Sequence, residues 1–244
     1  MLKVCCFDLD GTLLPIDTDA FIKQYLQELA PYMAEIIPPE KLVPLIWEAT
    51  KVTIADQDKH RTNEEVFQEH FLAQSGVKKE EIWPLFDRFY TEHFPTLKKY
   101  VQTSSLSRQV VQAALDRGYR VAVATNPIFP REAVLERLRW AQVEDLVELY
   151  TAYEDTHFCK PHSGYYQEVA RKMGVEPEEC AMIGNDVQED MVAGTLGMKT
   201  YLVTDFRIDR GEPAYTCDQK GTLEQLLTDI REGKGIFVEE SLKA

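Results

Sequence analysis

Cysteine is scarce in this chain and lacks any paired pattern: five residues in 244, namely Cys5, Cys6, Cys159, Cys180 and Cys217, with no CxxC spacing. That excludes a disulfide framework and a thiolate zinc site, and predicts small, inert thiols in a reducing cytoplasm. Long apolar runs are missing as well. None approaches the roughly 20 residues that span a bilayer, and no apolar leader precedes a small-residue cleavage site. A cytoplasmic protein with no membrane partner is therefore expected. Positive charge is in short supply, with 27 Lys and Arg against 41 Asp and Glu, a net charge of −14 and a pI near 4.9. Such a surface repels nucleic-acid backbones and anionic lipid, so neither is expected as a partner. A phosphate-bearing ligand would have to be met by local positive charge. Internal repeats and low-complexity tracts are absent too. What remains is an ordinary globular composition, 44% hydrophobic and 28% charged, long enough to bury a substantial core.

The richest segment is the start, Val4-Cys5-Cys6-Phe7-Asp8-Leu9-Asp10-Gly11-Thr12-Leu13-Leu14. An apolar run with strand character ends in two carboxylates spaced i, i+2, which share one side of an extended chain. Carboxylates brought together repel unless a cation lies between them, and a divalent ion with oxygen ligands suits that place. Gly11 permits a sharp turn where a side chain would obstruct backbone or ligand.

Two textures follow. From about 15 to 100 the chain reads as consecutive helices. Phe21, Ile22, Tyr25, Leu26, Leu29, Tyr32, Met33 and Ile36 form one apolar stripe, which Pro38-Pro39 breaks. Further helices are predicted over about 40–52, from the cap at Thr62-Asn63-Glu64-Glu65 to Gly76, and over about 79–98. Residues 1–14 and 101–244 instead alternate short β-branched runs, at 120–124, 180–183 and 199–203, with helical stretches near 104–118, 130–141, 163–174, 187–197 and 222–232. That alternation predicts an α/β class: a doubly wound parallel sheet carrying its site beyond the strand C-termini, with an all-helical insert at 15–100.

Strand ends are therefore the places to read. Thr125-Asn126-Pro127 follows the second strand, and Gly184-Asn185-Asp186 with Asp190 follows another. Cys159-Lys160-Pro161 sets a lysine in the loop between them. Thr18, Asp17, Arg131 and the polar stretch Asp56–Arg61 are weaker candidates for substrate contact, the last reading better as a solvated loop between helices.

In their order and spacing these segments resemble the four motifs of the haloacid-dehalogenase-like hydrolase superfamily, in its phosphatase branch with a helical cap. Asp8 to Leu13 matches the first motif, Thr125-Asn126 the second, Lys160-Pro161 the third, and Gly184-Asn185-Asp186 with Asp190 the fourth. Asn185 departs from the family, where an aspartate often follows the glycine. The resemblance implies a Mg²⁺-dependent phosphatase acting on a small phosphorylated metabolite through an aspartyl-phosphate on Asp8. It also implies Mg²⁺ held by Asp8, the Asp10 carbonyl and Asp186, with Asp190 as a further ligand or an indirect one. Asp10 would be the acid and base, and Thr125, Asn126 and Lys160 would hold the phosphoryl group. A phosphomutase of the β-phosphoglucomutase type shares this chemistry. A catalytically idle binding protein on the same fold is the alternative of a different class.

Overall fold

The structure is a computed structural model describing residues 1–238. Six parallel strands form one sheet: β1 (Val4–Phe7), β2 (Arg120–Val123), β3 (Leu149–Tyr150), β4 (Cys180–Gly184), β5 (Lys199–Val203) and β6 (Gln219–Gly221), in the order β3-β2-β1-β4-β5-β6. The central strand β1 is buried along its whole length, and Cys6 lies in register with Ala122 on one side and Met182 on the other. Alternation sorts its side chains. Cys5 and Phe7 join the cluster containing Val110, Ala114, Leu226 and Ile230, whereas Val4 and Cys6 join Tyr165, Tyr166 and Met173. The first group comes from α5 (Ser105–Asp116) and α8 (Leu223–Glu232), while the second is centred on α7 (Ser163–Lys172). Burying a residue such as Phe7 contributes about 1.5–3 kcal/mol, so a sheet covered on both faces is held by its interior rather than its rim. The chain leaves β1 for β2 on one side and reaches β4 on the other. A crevice therefore opens at the C-terminal ends of β1 and β4.

Between β1 and α5 run α1 (Thr18–Tyr32), α2 (Pro39–Ala55), α3 (Asn63–Ser75) and α4 (Lys79–Arg88). Their boundaries follow local chemistry. Pro38 is the N-cap of α2 and Pro39 its first residue, where a missing N–H costs nothing. Thr62 and Glu65 form a reciprocal capping box at α3, which ends at Gly76 in the left-handed region. The helices meet the sheet domain through aromatic rings: Phe94 stacks on Trp140 at 5.5 Å, and Phe21 meets the same indole edge-on at 6.1 Å. Trp140 closes α6 (Arg131–Trp140), the helix after β2.

Three elements differ from the sequence reading. The helix expected over 79–98 is α-helical only to Arg88, then a π-turn at Phe89–His93 and a 3₁₀ segment at Phe94–Tyr100. Pro95 is the cause, since its ring cannot sit over the preceding carbonyl in a regular α-turn. The helix expected at 187–197 shortens to a 3₁₀ turn at Met191–Leu196, because the Asp186 side chain takes the amides of Gln188 and Glu189 into a tight loop first. Strands β3 and β6 were not anticipated. They are two and three residues long and lie at the sheet edges, where short strands limit unwanted pairing. Among the described residues no helix is long and apolar enough to cross a membrane. Four of the five cysteines are buried, and all are free.

Candidate active site

The backbone of Asp8 prolongs β1, its N–H donating to the Ile183 carbonyl at 2.8 Å. Two residues on, the chain doubles back: Leu14 N–H reaches the Leu9 carbonyl at 2.8 Å, with Gly11 at φ +82°. A side chain at Gly11 would be strained by that φ and would run into Asn185. The turn leaves Asp8 and Asp10 on the floor of a cavity of about 250 Å³, lined also by Thr125, Asn126, Lys160, Asp186 and Asp190. Every residue proposed for catalysis, phosphate contact or metal binding thus faces one space.

Lys160 is the hub. Its ammonium, 1% exposed, donates to Asp8 Oδ1 at 2.8 Å and to Asp190 Oδ1 at 2.6 Å. Burial works against its charge, but the carboxylates of Asp190 and Asp8 outweigh it and keep the lysine protonated well beyond its usual range. Asp190 is fully buried, and its other oxygen accepts the Asp186 N–H at 2.9 Å. In this arrangement Asp190 braces the lysine and the Asp186 loop. Gly184 makes room for it, since a Cβ on Gly184 would lie 2.8 Å even from the Asp190 Cβ. Gly184→Ala is therefore expected to push Asp190 aside and cost about 1–3 kcal/mol through overpacking. It should also lower turnover at least tenfold by loosening Lys160. Thermal melts and steady-state rates on the same preparation check both.

The remaining motif residues form the supports. Asn126 joins two loops, its Oδ1 accepting the Lys160 N–H at 3.2 Å and its amide donating to Glu189 at 3.4 Å. The Thr125 carbonyl accepts both Thr151 at 2.6 Å and Tyr165 at 2.7 Å, which pins the end of β2. Asn185 accepts from the Thr12 hydroxyl at 3.1 Å while donating to the Phe206 carbonyl at 2.7 Å. An ionised aspartate could accept but not donate, which gives this family departure a physical reason. Of the weaker candidates, Thr18 lines the cavity, whereas Asp17 caps α1 and Arg131 pairs with Asp155. Arg61 gathers Asp56, Asp58 and Glu69 into a surface network away from the cavity wall. Burial pushes the Cys159 thiol up, keeping it protonated beside Lys160.

Two arginines escaped the sequence reading. Arg137, 1% exposed on α6, donates through Nη1 to the Asp10 carboxylate and through Nε to the Ala133 carbonyl, with its guanidinium 4.6 Å from the Phe129 ring centre. Burial raises the Asp10 carboxyl, and the Arg137 charge pulls back against it. Arg210, from the loop after β5, holds both oxygens of Asp186 at 2.7 and 2.8 Å. A signal for Arg137 did exist. It shares the buried stripe of α6 with Ala133, Val134 and Leu138, an unusual place for an unpaired cation.

The donors on the cavity floor are all oxygen, the chemistry of a hard divalent cation. Among the described residues, however, no three Asp, Glu, His or Cys side chains are grouped so as to hold a metal, and the implied set uses two carboxylates and a backbone carbonyl. Asp8, Asp10, Asp186, Glu189 and Asp190 converge on the cavity against three cations, Lys160, Arg137 and Arg210. Burial first, then the Asp186 carboxylate, push Glu189 up to about 7, with Lys160 and Arg210 pulling against them. Oxygen donors with an excess of anions fit Mg²⁺ better than a softer metal.

Comparison with known proteins follows the same line. The family model described as haloacid dehalogenase-like hydrolase matches residues 2–195. The pyrophosphatase PpaX of Bacillus cereus (strain AH820) is 24% identical over 94% of this chain and 98% of its own. A glyceraldehyde 3-phosphate phosphatase of Methanothermobacter thermautotrophicus is 26% identical over 83% of this chain and 86% of its own. Among solved structures, a HAD phosphatase from Thermococcus onnurineus superposes with a TM-score of 0.58 at 21% identity, over 93% of this chain and 97% of that one, a likeness of fold.

Proposed function

The chain belongs to the haloacid dehalogenase-like hydrolases, and from that premise we propose that it is a Mg²⁺-dependent phosphatase that hydrolyses the monoester of a small metabolite through an aspartyl-phosphate. The observation that carries this reading is the separate anchoring of two carboxylates in one cavity: Asp8 on Lys160 and Asp10 on Arg137. Relatives named as phosphatases, one of them for a small phosphorylated metabolite, support it.

Asp8, held by Lys160 with the Thr12 hydroxyl 3.3 Å from its other oxygen, presents an anionic oxygen to phosphorus. Its attack forms the Asp8–phosphorus bond as the ester oxygen departs, and Asp10 delivers the proton that oxygen needs. Asp10, now ionised, then removes a proton from water. The water oxygen bonds to phosphorus, inorganic phosphate leaves, and Asp8 is restored as the carboxylate. Acid–base help of this kind supplies about 10²–10⁴-fold. Mg²⁺, held by Asp8, the Asp10 carbonyl and Asp186, would supply the positive charge that lets one anion approach another. Thr125 and Lys160 would hydrogen-bond the phosphoryl oxygens, where fixed donors act most strongly.

The test is release of inorganic phosphate from p-nitrophenyl phosphate. Turnover should require Mg²⁺, fall to background with a chelator, and return when Mg²⁺ is restored in excess. Absence of turnover with every divalent ion tried would leave an idle binding protein instead.

A further inference from the structure

Above the catalytic floor the cavity wall changes character. The helices spanning 15–100 contribute Ile22, Tyr25, Phe67, Trp83, Phe86 and Tyr90, with Phe129 from the sheet domain opposite. No lysine, arginine or histidine from those helices lines the cavity, and their one charged contribution is Asp19. The Tyr25 and Tyr90 hydroxyls bond to each other at 2.6 Å, which takes up one of their two hydrogens and leaves that pair uncharged. The floor cations are committed too: Lys160 to Asp8 and Asp190, Arg210 to Asp186, and Arg137 to Asp10. Arg137 keeps its buried Nη2 without a partner, but that nitrogen belongs to the guanidinium that holds Asp10.

A second phosphate or a carboxylate would lose its water against this wall and meet no cation there, only the uncharged groups of Thr18, Thr50 and the Trp47 and Trp83 indoles, a costly exchange. Size narrows the choice further. An apolar cavity of about 150 Å³ accepts benzene, so a space of about 250 Å³ has room for a phosphoryl group and one ring. We infer that the alcohol released by this enzyme is uncharged and apolar, of single-ring or short branched-chain size. The inference rests on the phosphatase reading and names its substrate class. It sets the chain apart from enzymes for pyrophosphate or for esters bearing a second acid, because this wall offers a second anion no cation.

The experiment compares kcat/KM for benzyl and isoamyl phosphates with that for glycerol phosphate, phosphoglycolate and pyrophosphate. The benzyl, isoamyl and glycerol esters all release alkoxides, so a preference among them reports the fit of the alcohol. Benzyl phosphate is expected to exceed glycerol phosphate by about 10²-fold, within the range that apolar pockets achieve, with pyrophosphate slowest. Equal rates, or a lead for either acidic substrate, would overturn the inference while leaving the phosphatase reading intact. Binding is read separately, by melting shifts of the unaltered protein with benzylphosphonate and with phosphonoacetate. A shift specific to the benzyl compound without turnover of any ester would support the pocket and defeat the phosphatase reading. Equal shifts would defeat the inference.

Discussion

Replacing Asp8 by asparagine is expected to lower phosphate release by about 10⁴–10⁶-fold, the range seen when a nucleophile that acts as part of a unit is removed, with no loss of fold. The two halves of that expectation have different causes. Activity goes because an amide oxygen is a poor nucleophile toward phosphorus, and the other motif carboxylates are each held by a cation. Asp190 is buried beneath Lys160, Asp186 is gripped by Arg210, and Asp10 is paired with Arg137. The fold persists because asparagine keeps an oxygen to accept from Lys160, at a net cost within about 1 kcal/mol, and removes one charge from a crowded group of carboxylates. Radiolabelled phosphate should become acid-precipitable with the parent protein during turnover and not with the variant. A variant retaining a tenth of parental activity would remove the nucleophile role from Asp8.

Local patterns made a good part of this legible in the sequence. The α3 boundaries follow from Thr62, Glu65 and Gly76, each acting within a few residues of its own position. The strands β2, β4 and β5 show as apolar runs because both sheet faces are covered. The residues at their ends stand out because a polar group directly after such a run has few structural reasons to be there. Long-range partnerships were hidden. Nothing near Arg137 in the chain indicates that it meets Asp10, and nothing near Arg210 points to Asp186. The partners of Asn126 and Asp190 were hidden for the same reason, since a spacing can place a side chain at a strand end without showing which neighbour takes it. The bracing of Lys160 became visible only once three loops were brought together. Edge strands β3 and β6 lacked any apolar run to detect, being too short to need one.

Arg137→Met should be the more damaging change to the protein as a whole, with a loss of about 3–5 kcal/mol, as expected when one partner of a buried ion pair is removed. The methionine can fill the space against Phe129, so lost volume contributes little. The cost comes from Asp10, whose largely enclosed carboxylate would lose its direct counter-charge and keep only the influence of Lys160, with one oxygen already lacking a partner. Burial raises the Asp10 carboxyl above its ordinary range even with Arg137 present. A group whose folded pKa is raised favours the folded state below that pKa and loses the benefit as pH climbs through it. Without Arg137 the shift grows. The stability gap between variant and parent should therefore be widest near neutral pH and narrow on acidification, which thermal melts across a pH series would show. The same imbalance should divide the two chemical steps. A carboxyl that holds its proton more tightly remains available to protonate the departing oxygen, but regenerates poorly as the base that activates water. The phosphorylated form of Asp8 should then accumulate, with a burst of alcohol ahead of phosphate and a steady-state rate about 10²-fold lower. Loss of both steps in equal measure, without a burst, would show that Arg137 supports the fold alone and has no part in setting Asp10 between its acid and base forms.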